Sequence, residues 1–437
     1  MKNRLIKIIS RVVLIEIYII NERSVKVNTT DRIKETLETL KIFSETTNGV
    51  TRLPFTKEAK LAVNFLKQKM EEAGLEVFID ASGAVHGIRP GISSRKIIIG
   101  SHYDSVKSGG AYDGIAGVVC GIEIARLLKY ETLFYTLEVI GFNDEEGVRF
   151  GTGFFSSKAF LGEWDIEKLK HQYDEQGISV YEAMKSWNLV PEQLINSVWK
   201  LSQIRCFMEI HIEQGPVLEK EAVELGIVNG IVGMKRYNIQ VFGRADHAGT
   251  TPMNMRYDAL TGTATVIEYI EKAAKKYAGA VATVGACKVS PNAVNTVPEK
   301  VEFSLDIRSM NNDDLHALEK DILTYLEKTA QERNLTYEMQ TKLKVEPSDM
   351  DDTLKSYLRQ SILKLGYSSI NINSGAGHDA LPISRKLPTA MLFVPSKGGR
   401  SHCPEEYSKP ENLAKAVHVM LDTIKKINNE ENINELS

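Results

Sequence analysis

Four short apolar runs, over residues 96–99, 136–142, 206–212 and 389–394, constrain this chain more than any other feature of its sequence. Strands that show no polar alternation are buried on both faces, and when helical stretches separate them the arrangement that buries them all is a parallel sheet covered by helices. The helical stretches are present. From about Asp31 apolar residues recur at three- and four-residue spacing (Ile33, Leu37, Leu40, Phe43), a second amphipathic stretch over 58–73 stops at Gly74, and further helices are read over 115–130, 351–365 and 411–427. The fold class is therefore α/β, with a mostly parallel sheet.

Between about 228 and 344 the rhythm changes to strand 235–242, helix 258–277, strands near 281–289 and 300–307, helix 313–333 and a strand from Thr336. That β-α-β-β-α-β order is the split βαβ sandwich of an α+β, ferredoxin-like domain, and it interrupts the α/β pattern as an insertion. The organisation expected is an extension over 1–26, a first domain over 27–227 completed by 345–437, and the inserted domain over 228–344. Repeats are absent, and only the tail after Asn428 is of low complexity.

Basic and acidic residues nearly cancel, to a formal net charge of -3, so the bulk field favours neither nucleic acid nor an anionic membrane, and a small-molecule partner fits better. Cys120, Cys206, Cys287 and Cys403 are scattered without CxxC spacing, the usage of a reducing, cytoplasmic compartment. The stretch 5–20 behind Lys2, Arg4 and Lys7 has the charge order of a secretory signal, but Arg11 and Glu16 interrupt it and no small-x-small site follows over 21–30. No membrane span is expected; the stretch reads as an extra apolar helix or as upstream sequence translated from too early a start.

Chemistry gathers at the ends of the apolar runs. Gly100-Ser101-His102-Tyr103-Asp104 follows the first, at the carboxyl end where α/β sheets place ligands. Eleven residues beyond His102, Asp113 stands among Gly109, Gly110 and Gly114, a loop able to turn a carboxylate back towards the imidazole. Asp104 has the spacing to sit behind His102 and fix its tautomer. Asn143-Asp144-Glu145-Glu146-Gly147 ends the second run, where one glutamate could bind metal while its neighbour handles a proton. The third run carries Glu209 and His211 into Glu213-Gln214-Gly215, and Gly399-Arg400-Ser401-His402 follows the fourth.

His102, Asp113, one glutamate, His211 and His402 make five nitrogen and oxygen ligands, too many for one tetrahedral zinc and suited to two metals sharing a carboxylate. Taken singly, each has a plainer reading: a strand-end histidine is more often hydrogen-bonded structure, a Glu-Glu pair a solvated loop, a Gly-Gly pair a turn. Their recurrence at one expected sheet edge is what joins them.

The same residues carry a resemblance. Gly100 to Asp104, Asp113-Gly114, Asp144-Glu145-Glu146-Gly147, His211-Ile212-Glu213-Gln214-Gly215-Pro216, His247-Ala248-Gly249-Thr250-Thr251-Pro252 and Gly375-Ala376-Gly377-His378-Asp379-Ala380 resemble the M20-type amidohydrolases, over about 27–428. The nearest branch is the hydantoinase/carbamoylase group of N-carbamoyl-L-amino acid hydrolases, β-ureidopropionases and allantoate amidohydrolases. The resemblance implies two divalent ions per subunit, zinc before manganese, cobalt or nickel: one on His102, Asp113 and His211, the other on Asp113, Glu146 and His402, with Glu145 as general base. M20 peptidases commonly carry an acidic ligand at the position of His211, so a peptidase is the weaker reading.

The resemblance also makes the inserted domain a lid that forms a homodimer and brings His247, Asn295 and Arg308 to the substrate. Arg308 would fork a substrate carboxylate, while His247 and Asn295 would donate to the developing oxyanion, a contribution of about 3 kcal/mol per donor. Gln214 and His378 resemble the remaining contacts to a carbamoyl or ureido group. Without the resemblance Arg308 reads as a surface ion pair and Asn295 as a turn before Pro298. Arg400 departs from the pattern, standing where the family more often has an apolar residue.

The expected activity is hydrolysis of the carbamoyl or ureido C–N bond of an N-carbamoyl-L-amino acid or related ureido acid, releasing ammonia and carbon dioxide. Allantoate hydrolysis is the closest alternative and M20 aminopeptidase or dipeptidase activity comes after it. A ureido-acid binder without catalysis is the alternative of another class.

Overall fold

The computed structural model describes residues 28–434, so the apolar stretch over 5–20 lies outside the described residues. The chain divides into two compact bodies, one from the described residues up to Ile227 with Asp351–Asn371 and His378 onward, the other from Val228–Met350 with Ile372–Gly377.

In the first body, α1 (Thr29–Ile42) is capped by the Asn28 side chain and buries Ile33, Leu37 and Leu40, and α2 (Lys57–Glu72) is capped by Thr56. Next come β1 (Glu76–Ile79), β2 (Val85–Arg89), β3 (Ser93–His102), α3 (Ile115–Leu127), β4 (Tyr135–Phe142), β5 (Ile204–Ile212) and β6 (Leu225–Ile231). The sheet order is β1-β2-β4-β3-β5, then the strand Thr389–Val394, then the start of β6. β4, β3, β5 and Thr389–Val394 are mutually parallel, and every residue of β4 and of Thr389–Val394 is buried, which accounts for their unbroken apolar character.

The sheet as a whole is mixed, which corrects the mostly parallel sheet expected from the sequence. β1 and β2 form an antiparallel pair with β2 antiparallel to β4, and β6 runs antiparallel to Thr389–Val394. Antiparallel neighbours need only a tight turn, here one in which Gly83 N donates to Asp80 O at 3.1 Å. β1 is largely exposed and β2 carries His86 and Gly87, so neither leaves an apolar run in the sequence.

α3 is buried on nearly every face, because it packs on β3, β4 and β5 while the closing helix Pro410–Asn434 and α1 cover its other side. Gly117 permits the close approach: a Cβ there would drive into Ile210 O and the Ser101 side chain.

The second body holds β7 (Gly233–Phe242), β8 (Asp246–His247), α4 (Ala259–Ala274), β9 (Val281–Thr283), β10 (Cys287–Ser290), β11 (Thr296–Val297), β12 (Lys300–Ser309), α5 (Asn312–Glu332) and β13 (Thr336–Val345). Its main sheet is antiparallel in the order β10-β12-β7-β13, with β9 also on β12. This is the connectivity of a split βαβ sandwich. β12 alternates strictly: Val301, Phe303, Leu305 and Ile307 enter a core with Ile270, Leu318 and Ile322 of α4 and α5, while Glu302, Ser304, Asp306 and Arg308 point the other way. Among the described residues no helix is long and apolar enough to cross a membrane.

Candidate active site

Parallel register sets the site. His102, last residue of β3, stands beside Phe142, last of β4, and His211 of β5 stands beside Phe393, so the segments that follow these strands leave the sheet at one edge. Those segments bring Asp113, Glu145, Glu146, Gln214 and His402 to His102 and His211, and His378 packs edge-on against the His211 ring at 4.3 Å between centroids.

Asp113 lies at the centre. Its Oδ1 is 3.1 Å from His211 Nε2 and 3.7 Å from His102 Nε2, and its Oδ2 is 3.0 Å from His402 Nε2. His402 Nε2 is also 3.2 Å from Glu146 Oε1, and His102 Nε2 is 3.9 Å from Glu145 Oε2. Gln214 Nε2 donates to Asp113 Oδ2 at 2.9 Å.

The tautomers make this a site for cations. His211 Nδ1 donates to Ile212 O at 2.8 Å and His102 Nδ1 to Asp104 O at 3.1 Å, so in both neutral rings Nε2 is a bare lone pair. Gly114 N donating to His211 Nε2 at 3.1 Å agrees with that state. Lone pairs aimed at a carboxylate repel it unless a cation lies between them, and Asp113 Oδ1 is buried with no hydrogen-bond donor. Asp104, Asp113, Asp144, Glu145, Glu209 and Asp379 are all buried here, an excess of carboxyl groups over the imidazoles. Two groups of donors can hold divalent cations and share Asp113: His102, Asp113 and His211, and Asp113, Glu146 and His402.

The electrostatics follow from that crowding. Burial works against a charged Asp113, but His102, His211 and His402 hold its carboxyl well below the usual range. Burial also works against a protonated His102, but Asp113, Glu145 and Asp104 outweigh it and raise the imidazole well above its ordinary value, so its Nε2 lone pair takes up a positive partner readily, a proton where no metal is bound. Glu145 is pushed well above the usual carboxylate range by burial and by Glu146, Asp379 and Asp104, so it holds a proton more readily than a free glutamate. Burial and His211 depress His378 far below the ordinary imidazole value, leaving it neutral.

Asp104 serves the site otherwise than expected. Its main-chain carbonyl, not its carboxylate, is the hydrogen-bond partner of His102; the carboxylate accepts from Glu145 N at 3.1 Å and Glu146 N at 3.2 Å and so holds the glutamate loop. Sequence reasoning gave no role of its own to Glu209, which accepts from Ser101 Oγ at 2.7 Å, or to Asp379, which accepts from Ser157 Oγ at 2.6 Å. Glu406, joined to both the Asp113 turn and the His402 loop, was missed as well. Arg400 pairs with Glu405 at 3.0 Å on the surface.

His247, Asn295 and Arg308 belong to the second body. β8 pairs with β11, which places His247 against Thr296, and Ala248 N donates to Asn295 O at 3.0 Å. His247 Nδ1 accepts from Gly249 N at 3.1 Å and Thr250 N at 3.2 Å, so a hydrogen on the exposed ring is confined to Nε2, where it can be donated. Arg308 forks onto Asp306 at 2.8 and 3.2 Å, donates to Gly375 O at 2.6 Å, and lines a cavity of about 680 Å³ with Arg236 and Asn238.

Residues 98–426 match the family described as peptidase family M20/M25/M40. An N-carbamoyl-L-amino-acid amidohydrolase of Paenarthrobacter aurescens is 37% identical over 90% of this chain and 97% of its own length. An allantoate amidohydrolase of Bacillus subtilis (strain 168) is 35% identical over 87% of this chain and 93% of its own. Among solved structures, a hydantoinase/carbamoylase-family amidase of Burkholderia multivorans superposes with a TM-score of 0.83 at 30% identity, covering 92% of this chain and 98% of that one.

Proposed function

The chain belongs to peptidase family M20/M25/M40, and from that premise we propose that it is a metal-dependent amidohydrolase cleaving the carbamoyl or ureido C–N bond of a small acid, an N-carbamoyl-L-amino acid first. The observation that carries this reading is the pair of imidazoles whose Nε2 lone pairs face the Asp113 carboxylate, with Glu145 beside them. The relatives' names supply the substrate class.

In this reading His102, Asp113 and His211 hold one divalent ion and Asp113, Glu146 and His402 a second, with zinc, manganese, cobalt or nickel compatible with such donors. Bound there, the ions supply Lewis acidity towards the scissile carbonyl and lower the pKa of water. Glu145 takes a proton from the attacking water and returns it to the leaving nitrogen, the work for which its raised proton affinity suits it. His247 and Asn295 donate to the carbonyl oxygen as it gains charge, Arg308 holds the substrate carboxylate, and Gln214 and His378 contact the carbamoyl group. Asp306 keeps the Arg308 fork oriented in the meantime. One water and one N-carbamoyl amino acid give the amino acid, ammonia and carbon dioxide.

Allantoate is the second reading, supported by the relative from Bacillus subtilis. A histidine at 211 speaks against peptide substrates, and the presence of Glu145 with every expected ligand speaks against a binder without catalysis. The enzyme would act in the cytoplasm, as its unpaired cysteines allow, and as a homodimer through the second body, where β13 is an edge strand with largely exposed side chains.

The test is ammonia release by metal-reconstituted protein offered N-carbamoyl-L-amino acids, N-carbamoyl-β-alanine and allantoate in parallel, with a dipeptide as control. Turnover of a ureido acid is expected, and the preferred one names the branch. Cleavage of the dipeptide alone would overturn the reading.

A further inference from the structure

We propose that Glu406 is a positioning residue that clasps the two chain segments carrying Asp113 and His402 and thereby sets the geometry in which they bind metal, an inference that rests on the metallohydrolase reading above. Its buried carboxylate reaches the main chain of Asp113, 293 residues away, as well as the nearby His402 segment. Oε1 accepts from Tyr112 N and Asp113 N, both at 2.9 Å, and Oε2 accepts from Ser401 Oγ at 2.6 Å and His402 N at 3.3 Å.

Independent features converge on the same junction. A Cβ at Gly110 would collide with the Glu406 carboxylate, so the absence of a side chain there opens the space it fills. Tyr112 and Tyr407, neighbours of the clasped residues, pack edge to face at 5.4 Å. His402 has a φ of 55°, a left-handed conformation unfavourable for a residue with a Cβ, and the hydrogen bonds of Ser401 Oγ and His402 N to one carboxylate hold it there. Ser401 Oγ lies in addition 3.3 Å from Asp113 Oδ2. Among the described residues no other hydrogen bond reaches the Asp113 main chain from the His402 segment, so Glu406 ties the backbone that sets the separation of Asp113 Oδ2 and His402 Nε2, now 3.0 Å, while Gln214 Nε2 touches both side chains. Outer partners of metal ligands typically contribute ten- to hundredfold in metal affinity.

The experiment titrates metal-stripped wild type, Glu406→Ala, Glu406→Gln and Asp174→Ala with cobalt, reading the visible absorption of the bound ion and its affinity by chelator competition, alongside thermal melts of the stripped proteins. Asp174 is the control because it too holds a turn by accepting main-chain N–H groups, from Gln176 and Ile178, but touches no candidate ligand. Glu406→Ala is expected to bind cobalt roughly ten- to hundredfold more weakly with an altered spectrum, while Asp174→Ala keeps wild-type affinity and spectrum. Glu406→Gln retains the Oε1 acceptor and presents an amide to His402 N–H, so it falls between, and it carries the test alone if Glu406→Ala does not fold. Wild-type affinity and spectrum in Glu406→Gln and, where it folds, Glu406→Ala overturn the clasp and leave the metal reading standing. A wild type that binds no cobalt overturns both.

Discussion

Replacing Gly114 by alanine tests whether the site is built as tightly as its backbone implies. Ile115 N donates to Asp113 O at 2.7 Å across Gly114, whose φ of 65° and ψ of -58° make a γ-turn of the rare, positive-φ kind. This turn swings the Asp113 carboxylate to the imidazoles just before α3 begins. A side chain in that region is strained by about 1–3 kcal/mol, and the new Cβ would overlap Cε1, Nε2 and Cδ2 of the His102 ring, forcing a rotamer shift of about 0.5–1.5 kcal/mol more. Gly114→Ala should therefore lose about 2–4 kcal/mol, a fall of roughly 3–7 °C in Tm. Displacing His102 by about 1 Å should lower turnover on the order of hundredfold. Melts of stripped and loaded protein, metal stoichiometry, and kinetics on a turned-over ureido acid well below Tm separate the two effects. Wild-type kcat with full metal occupancy would refute the argument that only glycine spaces Asp113 from His102.

Glu145→Gln should lower kcat roughly 10²–10⁴-fold at unchanged metal content; activity that survives moves the proton transfer to another group. Arg308→Lys keeps the charge but loses the fork, so KM for a ureido acid should rise about tenfold with kcat little changed; an unchanged KM places the substrate carboxylate elsewhere. His86 gives a pH dependence remote from the reaction. Burial opposes its protonation, but Asp80 and Glu138 outweigh it and raise the imidazole from 6.5 to about 9. Because the folded value is the higher, the stabilisation is complete below about pH 6.5 and is lost as pH rises through about 9, about 3 kcal/mol in all. Urea unfolding at pH 6 and pH 10 should show wild type losing that much more than His86→Gln, and equal losses would refute it.

What could be read from the sequence was whatever double-sided burial or residue type imprints locally. The central strands are legible because β4 and Thr389–Val394 are buried at every position and so are written as apolar runs. Asp113 is legible because a carboxylate among glycines announces a turn. The hairpin of β1 and β2 is not, since strands of four and five residues, one largely exposed and the other carrying His86 and Gly87, have no periodicity to detect. Nor is Glu406: its partners Tyr112 and Asp113 are 294 and 293 residues away. Asp104 shows another limit. Its spacing from His102 suits an imidazole partner, but its carboxylate meets main-chain N–H groups at Glu145 and Glu146, 41 and 42 residues on, and main-chain donors carry no residue signature.

The mixed sheet divides its labour between its two kinds of pairing. The strands that end in candidate ligands or deliver them, β3, β4, β5 and Thr389–Val394, are those that pair in parallel, and β1, β2 and β6 supply none of the ligands. Parallel strands present their carboxyl ends at one edge, so segments far apart in the chain converge there without any loop having to double back. Antiparallel partners would send alternate ends to the opposite edge, so they serve only to close the flanks. The candidate ligands therefore require parallel order only at the centre of the sheet. The convergence also concentrates buried carboxyl groups around His102 and His211, whose Nδ1 atoms face main-chain carbonyls and whose Nε2 atoms face Asp113. Nδ1–H groups donated to main-chain carbonyls keep those nitrogens free for a cation, and that arrangement, more than the identity of any one ligand, distinguishes a metal site from a buried network of ion pairs.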